Sequence, residues 1–258
     1  MMGESQAFLV MGNWKMHGTL AQAQSLVSGL DAHVRAHAYV LGDAVDVALC
    51  PPATLVHSAV QWLDASSSRI GIGGQDCHTH THGAYTGDIS AQQLRDAGAQ
   101  WVLVGHSERR QYHGETDALV CAKARAALDA GLKPVICVGE TLEQREAGQA
   151  MAVVRSQILA SIPTHDGHVY VAYEPVWAIG TGKIPTLEDI ETIHLGIIDV
   201  LRTEQAIDVD RLTVLYGGSV KATNARVIRH VSGVGGMLVG GASLDVAEFS
   251  AIIDAAVE

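Results

Sequence analysis

The 258-residue chain has no surplus of basic side chains: 17 Lys and Arg stand against 28 Asp and Glu, a formal charge of -11. That balance argues against nucleic acid as a partner, since a polyanion is bound through a basic surface. It also requires any anionic substrate to be held by local donors against an unfavourable overall field. Cysteine is scarce, and Cys50, Cys77, Cys121 and Cys137 form no CxxC spacing. Reduced thiols in a cytoplasmic protein are expected, rather than a disulfide framework. Long apolar runs are missing as well. The run over residues 7–11 is too short for a signal or a membrane span, and no basic segment precedes it. No Ser/Pro-rich linker or charge block divides the chain, so residues 1–258 read as one domain. What the chain does have is apolar content, 48% against 17% charged residues, enough for a sizeable core and too much for disorder.

Short apolar, often β-branched runs recur at 7–11, 45–50, 70–74, 101–104, 134–138, 169–173, 212–216 and 237–239. Helical segments fall between them. Residues 20–38 follow Thr19, residues 117–130 follow Thr116 and stop at Gly131, and residues 187–204 follow Thr186 with Pro185 just ahead. The weakest signals are the third helix, near 91–97, and the short, glycine-flanked eighth strand. Strand-like runs alternating with helices give an α/β chain with a parallel sheet. Eight such units in this length favour a closed (β/α)8 barrel over an open, doubly wound sheet.

In such a barrel, chemistry belongs at the C-terminal ends of the strands. Polar and glycine residues collect there: Asn13-Trp14-Lys15 after the first run, Gly105-His106-Ser107-Glu108 after the fourth, and Glu174 after the sixth. Gly217-Gly218-Ser219 follows the seventh, and Gly240-Gly241-Ala242-Ser243 the eighth. Beyond Glu174 lie Pro175, the aperiodic apolar segment Val176-Trp177-Ala178-Ile179, and then Gly180-Thr181-Gly182. An acid beside a rigid proline, followed by an apolar segment ending in glycine, suits a base beneath a movable lid. The plainer reading is a strand-to-loop turn with one exposed Glu.

Six segments carry a resemblance to the triosephosphate isomerase family. They are Gly12-Asn13-Trp14-Lys15-Met16, Gly105-His106-Ser107-Glu108-Arg109-Arg110 and Pro134-Val135-Ile136-Cys137-Val138-Gly139-Glu140, then the run from Ala172 to Gly182, Tyr216-Gly217-Gly218-Ser219-Val220 and Leu238-Val239-Gly240-Gly241-Ala242-Ser243-Leu244. The resemblance implies a TIM barrel that interconverts dihydroxyacetone phosphate and D-glyceraldehyde 3-phosphate through an enediolate, in glycolysis and gluconeogenesis. It implies Glu174 as the base, and His106 as a neutral hydrogen-bond donor at a helix start. Lys15 would supply positive charge beside the phosphate and the reacting oxygen, and Asn13 would orient substrate and Lys15. Glu108 would hold Lys15, with Ser107 supporting the same turn. Backbone N–H groups of Gly180, Ser219, Gly240 and Gly241 would cradle the phosphate. Tyr216 and Ser219 would receive hydrogen bonds from a closed lid built of Pro175, Val176, Trp177, Ala178, Ile179, Gly180 and Thr181. The same resemblance implies no cofactor and no metal, and a homodimer joined through the loop from Thr79 to Gly87. Another phosphosugar enzyme on the same barrel, or a non-catalytic phosphate-binding relative, are the alternatives.

Two features stand outside that pattern. His78, His80 and His82 alternate in an extended segment and share one side of it, yet no carboxylate or Cys pair completes a four-ligand metal set. Ile198 and Gly235 occupy positions where the family often has an Arg and an Asp that pair. Their joint replacement avoids a stranded buried charge and is expected to loosen the phosphate loop after the eighth strand.

Overall fold

The computed structural model describes residues 7–179 and 185–257. Eight parallel strands form a closed barrel in chain order. They are β1 (Phe8–Asn13), β2 (Val45–Cys50), β3 (Gly71–Gly74), β4 (Trp101–Val104), β5 (Lys133–Val138), β6 (Val169–Tyr173), β7 (Leu212–Tyr216) and β8 (Gly236–Val239). A helix returns the chain after each strand: α1 (Leu20–Ala36), α2 (Ala53–Asp64), α3 (Ala91–Asp96), α4 (Asp117–Asp129), α5 (Ala150–Ser161), α6 (Leu187–Glu204), α7 (Ala222–Arg229) and α8 (Val246–Ala255). The barrel closes where Val10 of β1 registers with Met237 of β8. Among the described residues no helix is long and apolar enough to cross a membrane.

Strand alternation divides the apolar residues into two cores. Leu9 and Met11 of β1, Trp101 and Leu103 of β4, Val135 and Cys137 of β5, Ala172 of β6 and Leu215 of β7 fill the barrel interior. Their neighbours Val10, Val102, Ile136, Val171 and Val214 face outward and pack with the helices. The period of two therefore carries inward-facing positions on to Asn13 after Met11 and to Glu174 after Ala172. Two of the three glycines of β3, Gly71 and Gly73, stand where Trp101 takes the space. A Cβ added at Gly73 would lie 2.8 Å from Cys50 Sγ and 2.9 Å from Trp101 Cβ, and one at Gly71 would lie 2.9 Å from Trp101 Nε1.

Helix starts follow the capping signals. Thr19 and Thr186 each accept a hydrogen bond from the backbone three residues on, and Gln22 and Asp189 close the reciprocal bond. Helix α1 ends at Ala36, two residues before the sequence suggests. His37 is its C-cap, and a separate turn over Ala38–Leu41 leads into Gly42 at φ 48°. The Ile198 and Gly235 departures have a packing counterpart. Ile198 packs against the outer core. A Cβ at Gly235 would meet Thr213 Cγ2 at 3.1 Å, which leaves little room for a longer side chain.

Candidate active site

Polar side chains from β1, β4 and β6 meet at the C-terminal rim. They line a cavity of about 550 Å3 with Ile179, Gly217, Ser219, Gly240 and Gly241. Glu174 leaves β6 pointing inward with its side chain 2% exposed, and His106 is 7% exposed. Gly139 lets Glu174 sit there, because a Cβ at that position would fall 1.7 Å from the Glu174 carbonyl oxygen. Beneath it, Cys137 is held as a thiol: burial pushes its pKa well above the usual value, and the Glu174 charge adds to the effect.

His106 is set by Gly105, whose φ of 70° breaks the extended run. It caps a short helix over Ser107–His113, with its Nδ1 accepting the Glu108 N–H at 3.2 Å. In the neutral ring this places the proton on Nε2, which lies 2.9 Å from Glu174 Oε1. The other carboxylate oxygen accepts the Ser107 N–H at 2.9 Å. Both carboxylate oxygens of Glu174 are therefore occupied. Burial pushes the His106 pKa down, but the adjacent Glu174 carboxylate outweighs it, so the imidazole ends above its ordinary value. For Glu174 burial pushes upward, and the His106 contact, the Ser107 N–H and the Lys15 charge together bring it below its ordinary value. The two shifts have one cause, since each group is the other's nearest charged partner.

Lys15 lies at φ 52°, a conformation that side chains larger than glycine seldom adopt. Three bonds hold it: its N–H donates to Asn13 Oδ1 at 3.0 Å, its Nζ donates to Glu108 Oε1 at 2.5 Å, and its carbonyl accepts from Gln75 Nε2 at 2.8 Å. Gln75 also donates to the Cys50 carbonyl at 2.8 Å, tying the turn to β2. Strained backbone over-determined by its neighbours is characteristic of functional sites. Gly240 adjoins Lys15, since an added Cβ would stand 3.7 Å from Lys15 Cε. A 3-10 turn over Gly241–Leu244 follows, and the space around Gly241 is open.

The segment after Glu174 begins as a 3-10 turn, Val176–Ala178, entered from Pro175. Trp177 donates from Nε1 to Glu140 Oε1 at 2.8 Å, and the same oxygen accepts from the Tyr173 hydroxyl at 3.1 Å. The Ser219 hydroxyl donates to the Ala178 carbonyl at 3.1 Å, so Ser219 gives rather than receives the contact. The Tyr216 hydroxyl is buried and has no partner among the described residues. Gly180 and Thr181, named from the sequence as phosphate and lid residues, lie outside the described residues, as do Gly182 and Lys183. Sequence reasoning missed Gln75 and Glu140 as supports. Each acts through contacts between distant strands, which no local pattern reports.

A closed (β/α)8 barrel with a carboxylate, an imidazole and an ammonium converging at the strand ends defines an acid–base enzyme for a small anionic substrate. Residues 8–256 match the family model for triosephosphate isomerase. The chain is 55% identical over 255 residues to the triosephosphate isomerase of Ruegeria pomeroyi, covering 96% of each chain. It is 47% identical over 256 residues to that of Xanthobacter autotrophicus, covering 97% of each. The crystal structure of triosephosphate isomerase from Bartonella henselae superposes with a TM-score of 0.85 at 38% identity, over 96% of this chain and 98% of that one. The chain belongs to the triosephosphate isomerase family.

Proposed function

We propose that Glu174, His106, Lys15 and Asn13 carry out the family's reaction here, the interconversion of dihydroxyacetone phosphate and D-glyceraldehyde 3-phosphate. Glu174 takes the proton from the carbon beside the carbonyl and returns it to the neighbouring carbon. The electron pair left on carbon moves into the carbonyl, giving an enediolate oxygen, and the hydroxyl proton of the neighbouring carbon passes to that oxygen so that the second carbonyl forms as carbon is reprotonated. His106 Nε2–H and Lys15 stabilise that oxygen as its charge develops. Substrate entering between Glu174 and His106 separates the resting pair. The carboxylate then loses the partner that lowers its basicity, and the imidazole loses the one that favours its protonation. Lys15 and the backbone of Ser219, Gly240 and Gly241 hold the phosphate, with Gly180 supplied by the lid. Closure restrains the phosphate while the enediolate exists, because elimination would otherwise compete.

The contact between Glu174 and His106 at the wall of the cavity shared with Lys15 supports this reading most strongly. A coupled assay with dihydroxyacetone phosphate tests it: Lys15→Ala is expected to lose at least about 100-fold in kcat/KM. The formal charge of -11 supports a small-molecule substrate over nucleic acid or membrane as partner. Residues 1–258 act as one domain in the cytoplasm, in glycolysis and gluconeogenesis. They pair as a homodimer through the loop from Thr79 to Gly87. That assignment is supported by the unbroken exposure of residues 81–89 and by Tyr85 stacking on His80 within the projecting segment. Analytical ultracentrifugation checks it, with a species of twice the chain mass expected.

A further inference from the structure

The histidines of the projecting loop draw attention from sequence alone, yet the donor set assembles on the opposite face of the barrel. His33, His37 and Asp254 each offer one ligand atom, and these atoms lie within 4.8 Å of one another. No other group of three such side chains does so among the described residues. His33 lies in the last turn of α1 and His37 is its C-cap, four residues on, so both rings fall on one side of the helix. Their centroids are 4.2 Å apart. Asp254 comes from the last turn of α8, the neighbouring helix, which packs so closely that a Cβ at Gly29 would meet Val246. His33 Nε2 lies 2.8 Å from Asp254 Oδ1.

We propose that His33, His37 and Asp254 bind a late first-row transition-metal dication such as Zn2+, clamping the ends of α1 and α8 together. Three observations carry this. First, the donors are two imidazoles and a carboxylate, which suit Zn2+, Ni2+ or Cu2+ rather than Mg2+. Second, the His37 Nδ1–H donates to the His33 carbonyl at 2.9 Å, so the lone pair of the neutral ring sits on Nε2. Metal-bound histidines are oriented by this kind of outer bond. Third, both helices return from parallel strands, so their carbonyl ends emerge on the same face and favour a cation there. The metal enters between His33 and Asp254 and takes the place of the proton they share, the ring proton moving to Nδ1 so that His33 binds as a neutral imidazole through Nε2. Solvent fills the remaining coordination positions, because the Asp254 side chain is 47% exposed. The site lies on the face of the barrel away from Glu174, so the metal acts on stability and leaves catalysis alone.

Titration calorimetry of the full chain with Zn2+ and with Mg2+, paired with thermal unfolding, tests the assignment. One equivalent of Zn2+ per chain is expected, no Mg2+ binding, and a Tm rise of about 5 °C or more at a hundredfold excess over Kd. Isomerase kcat/KM is expected to stay unchanged. Both His37→Gln and Asp254→Asn are expected to weaken Zn2+ binding at least about tenfold while keeping activity. Absence of saturable Zn2+ binding overturns the proposal. So does binding that survives both substitutions, or that is lost instead when His80 and His82 are replaced by alanine.

Discussion

The smallest structural decision in this protein is which way a carboxylate turns. Glu174 occupies the inward parity of β6, and its two oxygens accept from His106 and from the Ser107 backbone. That geometry lowers its pKa and raises that of His106, burial opposing the first shift less than the partners favour it. Glu174→Gln removes the carboxylate, leaving burial and the Lys15 charge opposed only by the more distant Glu108 charge. The His106 ring nitrogens, followed by NMR, are then expected to titrate at lower pH than in the unaltered protein; an unchanged titration would mean the contact is absent in solution. Glu174→Asp withdraws the base by one methylene, and a misplacement near 1 Å is expected to reduce kcat by about 100-fold, with a smaller change in KM. Residue identities at the rim were legible in the sequence because strand ends and glycines mark them. Gln75 was not, since its role is to bridge the Lys15 and Cys50 carbonyls across a gap that folding alone closes.

At the level of elements, strands β2, β4, β6 and β7 match their apolar runs residue for residue, as does helix α6. Buried parallel strands are continuous apolar runs, and a Thr cap followed by an amphipathic segment fixes a helix start. Short helices such as Ser107–His113 and Leu142–Glu146 carry too few residues to display a period. The lid is a different case. Its apolar residues show no period because each seeks its own partner: Trp177 takes Glu140, and the Ala178 carbonyl takes Ser219. Ser219→Ala removes one anchor, and stopped-flow measurements are expected to show a several-fold change in lid-limited kcat. A chain shortened between Val176 and Thr181 is expected to release inorganic phosphate and methylglyoxal during turnover, detected by a phosphate assay. Full isomerase activity without elimination would remove the need for a lid.

Across the whole molecule, the barrel buries groups that would rather be charged. His194 is fully buried, with its Nδ1–H donating to the Gly233 carbonyl at 3.2 Å and no partner at Nε2 among the described residues. Burial pushes its pKa from 6.5 down to about 4. An imidazole depressed in this way contributes full stability above pH 6.5 and loses it as the pH falls towards 4, where the unfolded chain takes up the proton. The loss amounts to about 3 kcal/mol over that window, and His194→Asn is expected to flatten the corresponding fall in Tm. The alternation of apolar runs with capped helical segments made the fold class legible. It could not disclose His33, His37 and Asp254 as neighbours, because α1 and α8 meet only when the barrel closes between β1 and β8. The same closure brings a base, an imidazole and an ammonium from three strand ends to one cavity, and isomerisation of dihydroxyacetone phosphate in deuterium oxide tests that convergence most directly. Solvent deuterium is predicted at the carbon that accepts the proton in glyceraldehyde 3-phosphate, with isomerisation and exchange falling together in Glu174→Gln. A Glu174→Gln protein that isomerises as fast as the unaltered one would contradict proton transfer through Glu174.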